Sequence, residues 1–284
     1  MSLDLAEAAL EGRTDEVPHA VRKSPYGRRH PVPVRLISIA TLLALLAAWQ
    51  IATSLSLVPR LFLPAPAEVL GQFVSVARDG FVDATLAQHL AASLGRVFAA
   101  LLAAIGIGVP IGIAIGASPI GRGILDPLIE ILRPIPPLAY LPLVIIWFGI
   151  GEPAKVLIIA IAMLAPIVIA TASGVRGVAT DRLNAARSLG ASRTQLMRHV
   201  VLPSALPSIL TGVRIALGTG WSTLVAAELV AASRGLGFMI QSAAQFLVTD
   251  VVVMGILVIA AVAFALEALI RLAERWLVPW AGRG

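Results

Sequence analysis

Apolar residues arrive in six long runs separated by short polar or proline-rich breaks, a pattern that predicts membrane-spanning helices. The first run extends from about Leu36 to Val58, and Pro59, Pro64 and Pro66 follow it. Beyond them Val69, Phe73, Val76 and Ala77 recur at helical spacing, which predicts a short amphipathic helix on the membrane surface. The second run, about Leu90–Ala117, contains Gly106, Gly108, Gly112 and Gly116, and small residues at such spacing let helices approach closely in lipid. The third, about Ile124–Phe148, is interrupted by Pro134-Ile135-Pro136-Pro137 and again by Pro142. Prolines there free backbone carbonyls, which are tolerated at membrane depth only inside protein or along a wet path. The last three runs are about Val156–Ala172, Ser204–Ala232 and Val251–Leu272, and no internal repeat is visible. The expected fold is therefore an all-α integral membrane protein of about six helices. It divides into a disordered tail (1–35), a first helix with a surface segment (36–88), a core (89–276) and a short C-terminal tail (277–284).

Composition narrows the class. Hydrophobic residues make up 58% of the 284 and charged ones 13%, more apolar surface than a soluble domain can hide. There is no cysteine, hence no disulfide and no thiolate metal or redox site. His89 is expected at the outer interface without partners for a metal, and no residue is singled out as catalytic. Of the 22 Lys and Arg, fifteen fall before residue 36, at Arg122, between Arg176 and Arg198, or after residue 270, all on one side of a six-span topology. Arg60, Arg78, Lys155 and Arg234 fall on the other side, and Arg96, Arg133 and Arg214 lie within spans. The positive-inside rule then places both termini and the 174–202 loop in the cytoplasm. The first twenty residues are polar and acidic, so no cleavable signal peptide is expected. Basic residues are not interleaved with aromatics on a soluble segment, which excludes nucleic-acid binding.

The basic loop between the fourth and fifth runs has fixed internal spacing that lipid cannot explain. Asp181 is positioned to cap a short helix over 182–189, and Gly190 stands where a helix ends in the left-handed region. Ser192-Arg193-Thr194-Gln195 is a capping-box pattern for a second short helix, and Pro203 marks the start of the next span. Asn184-Ala185-Ala186, then Gly190, then Val200-Val201-Leu202-Pro203 resembles the EAA loop of ABC importer permeases, with Asn184 where that motif has Glu. The resemblance implies a docking surface for an ATPase subunit over residues 180–203, made of Asp181, Asn184, Ala185, Ala186, Arg187, Gly190, Ala191 and Arg193.

The likeness reaches further. Gly123 to Ala139 and Ile146-Trp-Phe-Gly-Ile-Gly-Glu152 resemble the permeases for nitrate, bicarbonate, aliphatic sulfonates and taurine. Gly80 to Leu94, Gly220 to Glu228 and Arg234 to Ala244 resemble the taurine permeases most. The implied fold is a type I ABC importer transmembrane domain. The implied function is inward movement of taurine across the bacterial inner membrane by alternating access, with another small anion as the nearest alternative. The implied partners are a second copy of the chain, two ATPase subunits and a periplasmic binding protein. No Walker A pattern is present, so ATP and Mg are expected on the ATPase and no cofactor on this chain. An ion-coupled secondary transporter is the alternative of another class; it predicts inverted repeats and leaves the capped loop without a purpose.

Ionisable residues inside a membrane usually face a partner or a wet path. Glu130 and Arg133, three residues apart beside Pro136, read either as a gate pair or as an ion pair fixing helix register. Arg214 reads as a transient sulfonate contact or as a structural salt bridge. Trp221, Ser222 and Glu228 follow it. For a zwitterion, Trp221 and Glu228 would serve the ammonium; ordinary packing and contact with the binding protein are the competing readings. Glu267 and Arg271 read as a structural i,i+4 pair, and Trp276 and Trp280 as interfacial anchors.

Overall fold

The computed structural model describes residues 34–280. The expected disordered tail and the last four residues lie outside them, apart from the first turn of helix at 34–35. Among the described residues every regular element is helical. The order is α1 (Val34–Ser54), α2 (Pro66–Arg78), α3 (Leu86–Ala117), α4 (Pro119–Leu132), a 3-10 turn at Pro137–Tyr140, and α5 (Leu141–Phe148). Then come α6 (Glu152–Arg176), α7 (Thr180–Ser188), α8 (Arg193–Leu196), a π turn at Met197–Val201, α9 (Leu202–Ala231), α10 (Leu236–Gln245) and α11 (Thr249–Leu277). Five stretches are long and apolar enough to span: Leu36–Ser54, Leu86–Ala117, Glu152–Arg176, Arg193–Val230 and Thr249–Leu277. A sixth crossing exists if α4 and the segment 137–148, which meet at 89°, count together. The bend falls on the Pro134–Pro137 cluster, where ring clashes and missing N–H donors prevent a continuous helix.

The chain forms two compact units, residues 1–48 and 49–284. In the first, Leu36, Ile37, Leu42, Leu43, Leu45 and Leu46 are all more than half exposed, the surface of a helix that meets lipid. The second is organised around α6, which lies between α3 and α9. Val97, Ala100, Ala104, Ile159, Met163, Ile167, Ala216 and Leu224 form its core. The approach is close because glycines face bulkier neighbours. A Cβ at Gly112 would lie 2.5 Å from Thr171 Cβ and 2.7 Å from the Val168 carbonyl oxygen. At Gly212 it would lie 2.5 Å from Ala170 Cβ. Gly108 and Gly116 also meet α6, whereas Gly106 faces open space, so three of the four glycines in the second run serve helix packing.

The amphipathic segment is helix α2. It buries Val69 and Val76 and is tied to α11 by Gln72 Nε2 donating to Asp250 Oδ2 at 2.8 Å. Phe73, on the same stripe, remains 46% exposed.

Candidate functional site

Three places concentrate polar chemistry: the 180–203 loop at one end of the bundle, a buried charge cluster at the other, and a groove between α9 and α11.

In the loop, α7 starts on Ala179 without a side-chain cap, which corrects the expected capping role of Asp181. Asp181 instead lies in the first turn, where a carboxylate complements the helix dipole. Asn184 lies in the middle of α7, and its Oδ1 accepts from Arg187 Nη1 at 3.4 Å. The far end of α7 is a Schellman motif. The Ala191 N–H reaches the Ala186 carbonyl at 3.1 Å and the Gly190 N–H reaches that of Arg187 at 2.9 Å, with Gly190 at φ 79°. Ser192 and Gln195 complete the expected capping box. The second short helix does not stop: α8 runs through the π turn into α9, so Pro203 sits inside a continuous span. Val175, Val178, Val201, Ala205 and Ile209 cluster beneath the loop, with Leu183, Met197 and Val200 packed against them. The loop is thus a packed extension of α6 and α9. Asp181, Asn184, Ala185, Arg187, Gly190 and Arg193 are exposed, and Ala186 and Ala191 are half-buried. Leu189, which the sequence did not single out, stands 89% exposed beside Gly190, an apolar knob on a polar surface.

At the opposite end, Arg96 of α3 joins three elements. Its Nη1 meets Glu228 Oε1 at 2.5 Å and the Arg234 carbonyl at 2.7 Å. Its Nε and Nη2 form a bidentate pair with Glu152 at 2.6 and 2.7 Å. Lys155 Nζ adds a third contact to Glu152 at 2.7 Å. Glu228 is completely buried; Ser93 Oγ donates to it at 2.8 Å and the Gly237 N–H at 2.8 Å, so the carboxylate also caps α10. Ser93 Oγ accepts the Leu236 N–H at 2.9 Å. His89, in the first turn of α3, is buried too. Its Nδ1 accepts the Gly235 N–H at 3.1 Å, which assigns the proton to Nε2, 2.9 Å from the Phe81 carbonyl. Gly235, at φ 135°, has no room for a Cβ because the Glu228 carboxylate occupies that space. Glu228 as an ammonium contact is therefore corrected: every oxygen it offers is engaged inside the protein. Arg96, Glu152 and Lys155 were missed as a unit, although an arginine within an apolar span was the signal available.

Glu130 and Arg133 are both exposed and form no ion pair among the described residues, so the reading as an ion pair fixing helix register does not hold. Arg133 ends α4, and Pro136, also exposed, lies in the bend. Arg214, Trp221 and Ser222 do come together, along α9, on a cavity of about 520 Å³ shared with Ala263, Phe264 and Glu267 of α11. Arg214 Nη1 lies 3.5 Å from Glu274. Trp221 is only 7% exposed and its Nε1–H has no acceptor, while the Ser222 hydroxyl donates to the Gly218 carbonyl at 3.2 Å. Glu267 and Arg271 do pair, at 3.5 Å. Trp276 and Trp280 are 80% and 50% exposed.

An all-helical bundle of five or six spans, with a rigid helical loop fixed to two core helices and charges at membrane depth, defines the transmembrane domain of a transporter. The chain belongs to the family of binding-protein-dependent transport system inner membrane components, whose model matches residues 108–279. It is 58% identical over 247 residues to the taurine transport system permease protein TauC of Escherichia coli, covering 87% of this chain and 90% of that one. It is 36% identical to the bicarbonate transport system permease protein CmpB of Synechococcus elongatus, covering 86% and 89%. Its fold is shared with an amino acid ABC transporter crystallised with histidines, at a TM-score of 0.55 and 20% identity over 75% of this chain and 95% of that one. The family sets aside the ion-coupled carrier, since its members are components of binding-protein-dependent systems.

Proposed function

We propose that this chain is the permease subunit of an ATP-driven importer that moves taurine inward across the bacterial inner membrane by alternating access. The observation that carries this reading is the 58% identity, across 87% of the chain, to a taurine transport system permease. The working complex comprises two copies of the chain, two ATPase subunits that hold ATP and Mg, and a periplasmic binding protein. A second copy has a surface to meet. Ile215, Gly218, Thr219, Ser222 and Leu229 form an exposed stripe along α9, and small and hydroxyl residues at membrane depth suit a water-filled path between two copies better than lipid. Proteoliposomes holding the permease, its ATPase and the binding protein should accumulate taurine only with ATP. Uptake of bicarbonate or nitrate in its place would transfer the assignment to another small anion, the alternative that the 36% identity to a bicarbonate permease supports.

The ATPase docks on the 180–203 loop, and both termini are cytoplasmic. Because the chain lacks cysteine, a single Thr194→Cys substitution on this exposed surface gives a clean label. An impermeant maleimide should react with it only after the inner membrane is opened, and ATPase binding should slow the reaction at least tenfold. Labelling from outside would reverse the orientation, and labelling unaffected by the ATPase would move the docking surface elsewhere.

A further inference from the structure

The two charge systems of this protein differ in how tightly they are held. Around Arg96 the ion pairs measure 2.5–2.7 Å and three of the four side chains are at most 4% exposed. Along the α9/α11 groove the pairs Arg214–Glu274 and Glu267–Arg271 both measure 3.5 Å, with side chains 24–53% exposed. A pair that long is beyond good hydrogen-bond geometry, and half-solvated pairs contribute little to stability. The first system is built to stay closed. The second opens at small cost.

Arg214 and Glu267 place opposite charges on the wall of one cavity of about 520 Å³. Trp221 forms part of the same wall, with an indole N–H that has no acceptor among the described residues although the residue is only 7% exposed. Apart from Ser222, the rest of the wall is apolar or glycine, with Ile215, Leu217, Ala263, Phe264 and Ile270 prominent. Arg214 also lines the adjoining cavity of about 460 Å³ with Arg271, Glu274 and Arg275, so it stands between the two.

We propose that this groove is a membrane-depth binding site for a small zwitterion, with Arg214 taking the anionic end and Glu267 the ammonium. The proposal rests on the transport reading above and gives that reading a site. A zwitterion exchanges partners with both loose pairs at once: its anion replaces Glu274 at Arg214, and its ammonium replaces Arg271 at Glu267. The exchange releases Glu274 and Arg271, which stand three residues apart on α11 and line the same adjoining cavity, so the two freed charges can neutralise each other there instead of being left bare. The guanidinium fork matches a sulfonate or carboxylate, and the Trp221 N–H is a further donor for that end once the indole turns into the cavity. The Trp221 face suits an ammonium as well, but the buried N–H edge favours the anion. Loosely held, partly exposed pairs suit a transit site of low affinity rather than a store; tight binding in both conformations would give the transport cycle nothing.

The test is equilibrium binding of radiolabelled taurine to the detergent-purified permease–ATPase complex without binding protein, with ethanesulfonate as competitor. Wild type should bind saturably. Glu267→Gln should weaken taurine at least tenfold and leave ethanesulfonate, which has no ammonium, within twofold. Arg214→Gln should weaken both at least tenfold. Glu274→Gln, which removes only the resting partner of Arg214, should bind taurine as tightly or more tightly; a merely structural role for that pair predicts a loss. Absence of saturable binding, or variants indistinguishable from wild type, overturns the proposal. ATP-driven taurine uptake by the complete wild-type system separates the two readings. Uptake without groove binding rejects the groove alone, and absence of uptake rejects both.

Discussion

Arg96→Met should destabilise the permease by about 3–5 kcal/mol, the range for breaking a buried ion pair from one side. The variant would leave Glu228 fully buried with only Ser93 and the Gly237 N–H for company, and would strip Glu152 of its bidentate partner. The carboxylate would then be desolvated without a counter-charge, and the α9–α10 connection that it organises would loosen. Thermal denaturation in detergent, followed by size-exclusion chromatography, measures the effect. The double variant Arg96→Met/Glu228→Leu should recover part of the loss, because replacing both members with apolar groups removes the bare charge. Arg60→Ala, which breaks the exposed pair Arg60–Glu68 at 2.9 Å, sets the scale at about 1 kcal/mol or less. Equal effects at Arg96 and Arg60 would mean that the buried cluster is not what holds this end together.

Gly112→Leu should be nearly as damaging, by about 1–3 kcal/mol or more, through overpacking. The obstacle is backbone: the Val168 carbonyl oxygen would lie 2.7 Å from the new Cβ, and a carbonyl inside α6 has no rotamer by which to withdraw. The α3–α6 seam must open along its length, and Ile167 and Val168 lose contact with it. Gly106→Leu tests the reasoning. It lies in the same run, but a Cβ there meets nothing within 4 Å, so a change within about 0.5 kcal/mol is expected. Matching losses at the two positions would point to an effect of lipid exposure instead of the seam, since the change raises helix propensity at both.

Much of this was legible in one dimension. The number of spans, the break at Pro134–Pro137 and the Gly190 and Ser192 caps depend on runs, periods and neighbours within five residues. Local chemistry of this kind is written in residue order. The start of α7 was misplaced because Asp181 and Ala179 stand only two positions apart and Asp is as welcome in a first turn as at a cap. The π turn had no signal that distinguishes it from ordinary helix, so Pro203 was taken for a boundary that the structure does not have.

What the sequence by itself determined is the class: an all-helical membrane domain, with a helical loop of recognisable spacing and ionisable residues placed where lipid makes them expensive. What only the tertiary structure decided is which of those residues belong to one another. Glu228 and Arg96 are 132 residues apart, and Arg214 and Glu274 are sixty apart. Each carries a charge whose presence is plain in the sequence and whose partner is not. Pairing across that distance depends on which faces of α3, α6, α9 and α11 meet, and this is set by glycine seams and close packing. Arg96, Lys155 and Glu228 were thereby drawn into the interior with Glu152 at the exposed rim, while Arg214 and Glu267 were left loosely held on the wall of a groove. The cost of an unpaired charge at membrane depth is known from the residue alone; whether the fold meets that cost with a permanent partner or leaves it for a ligand depends on the packing.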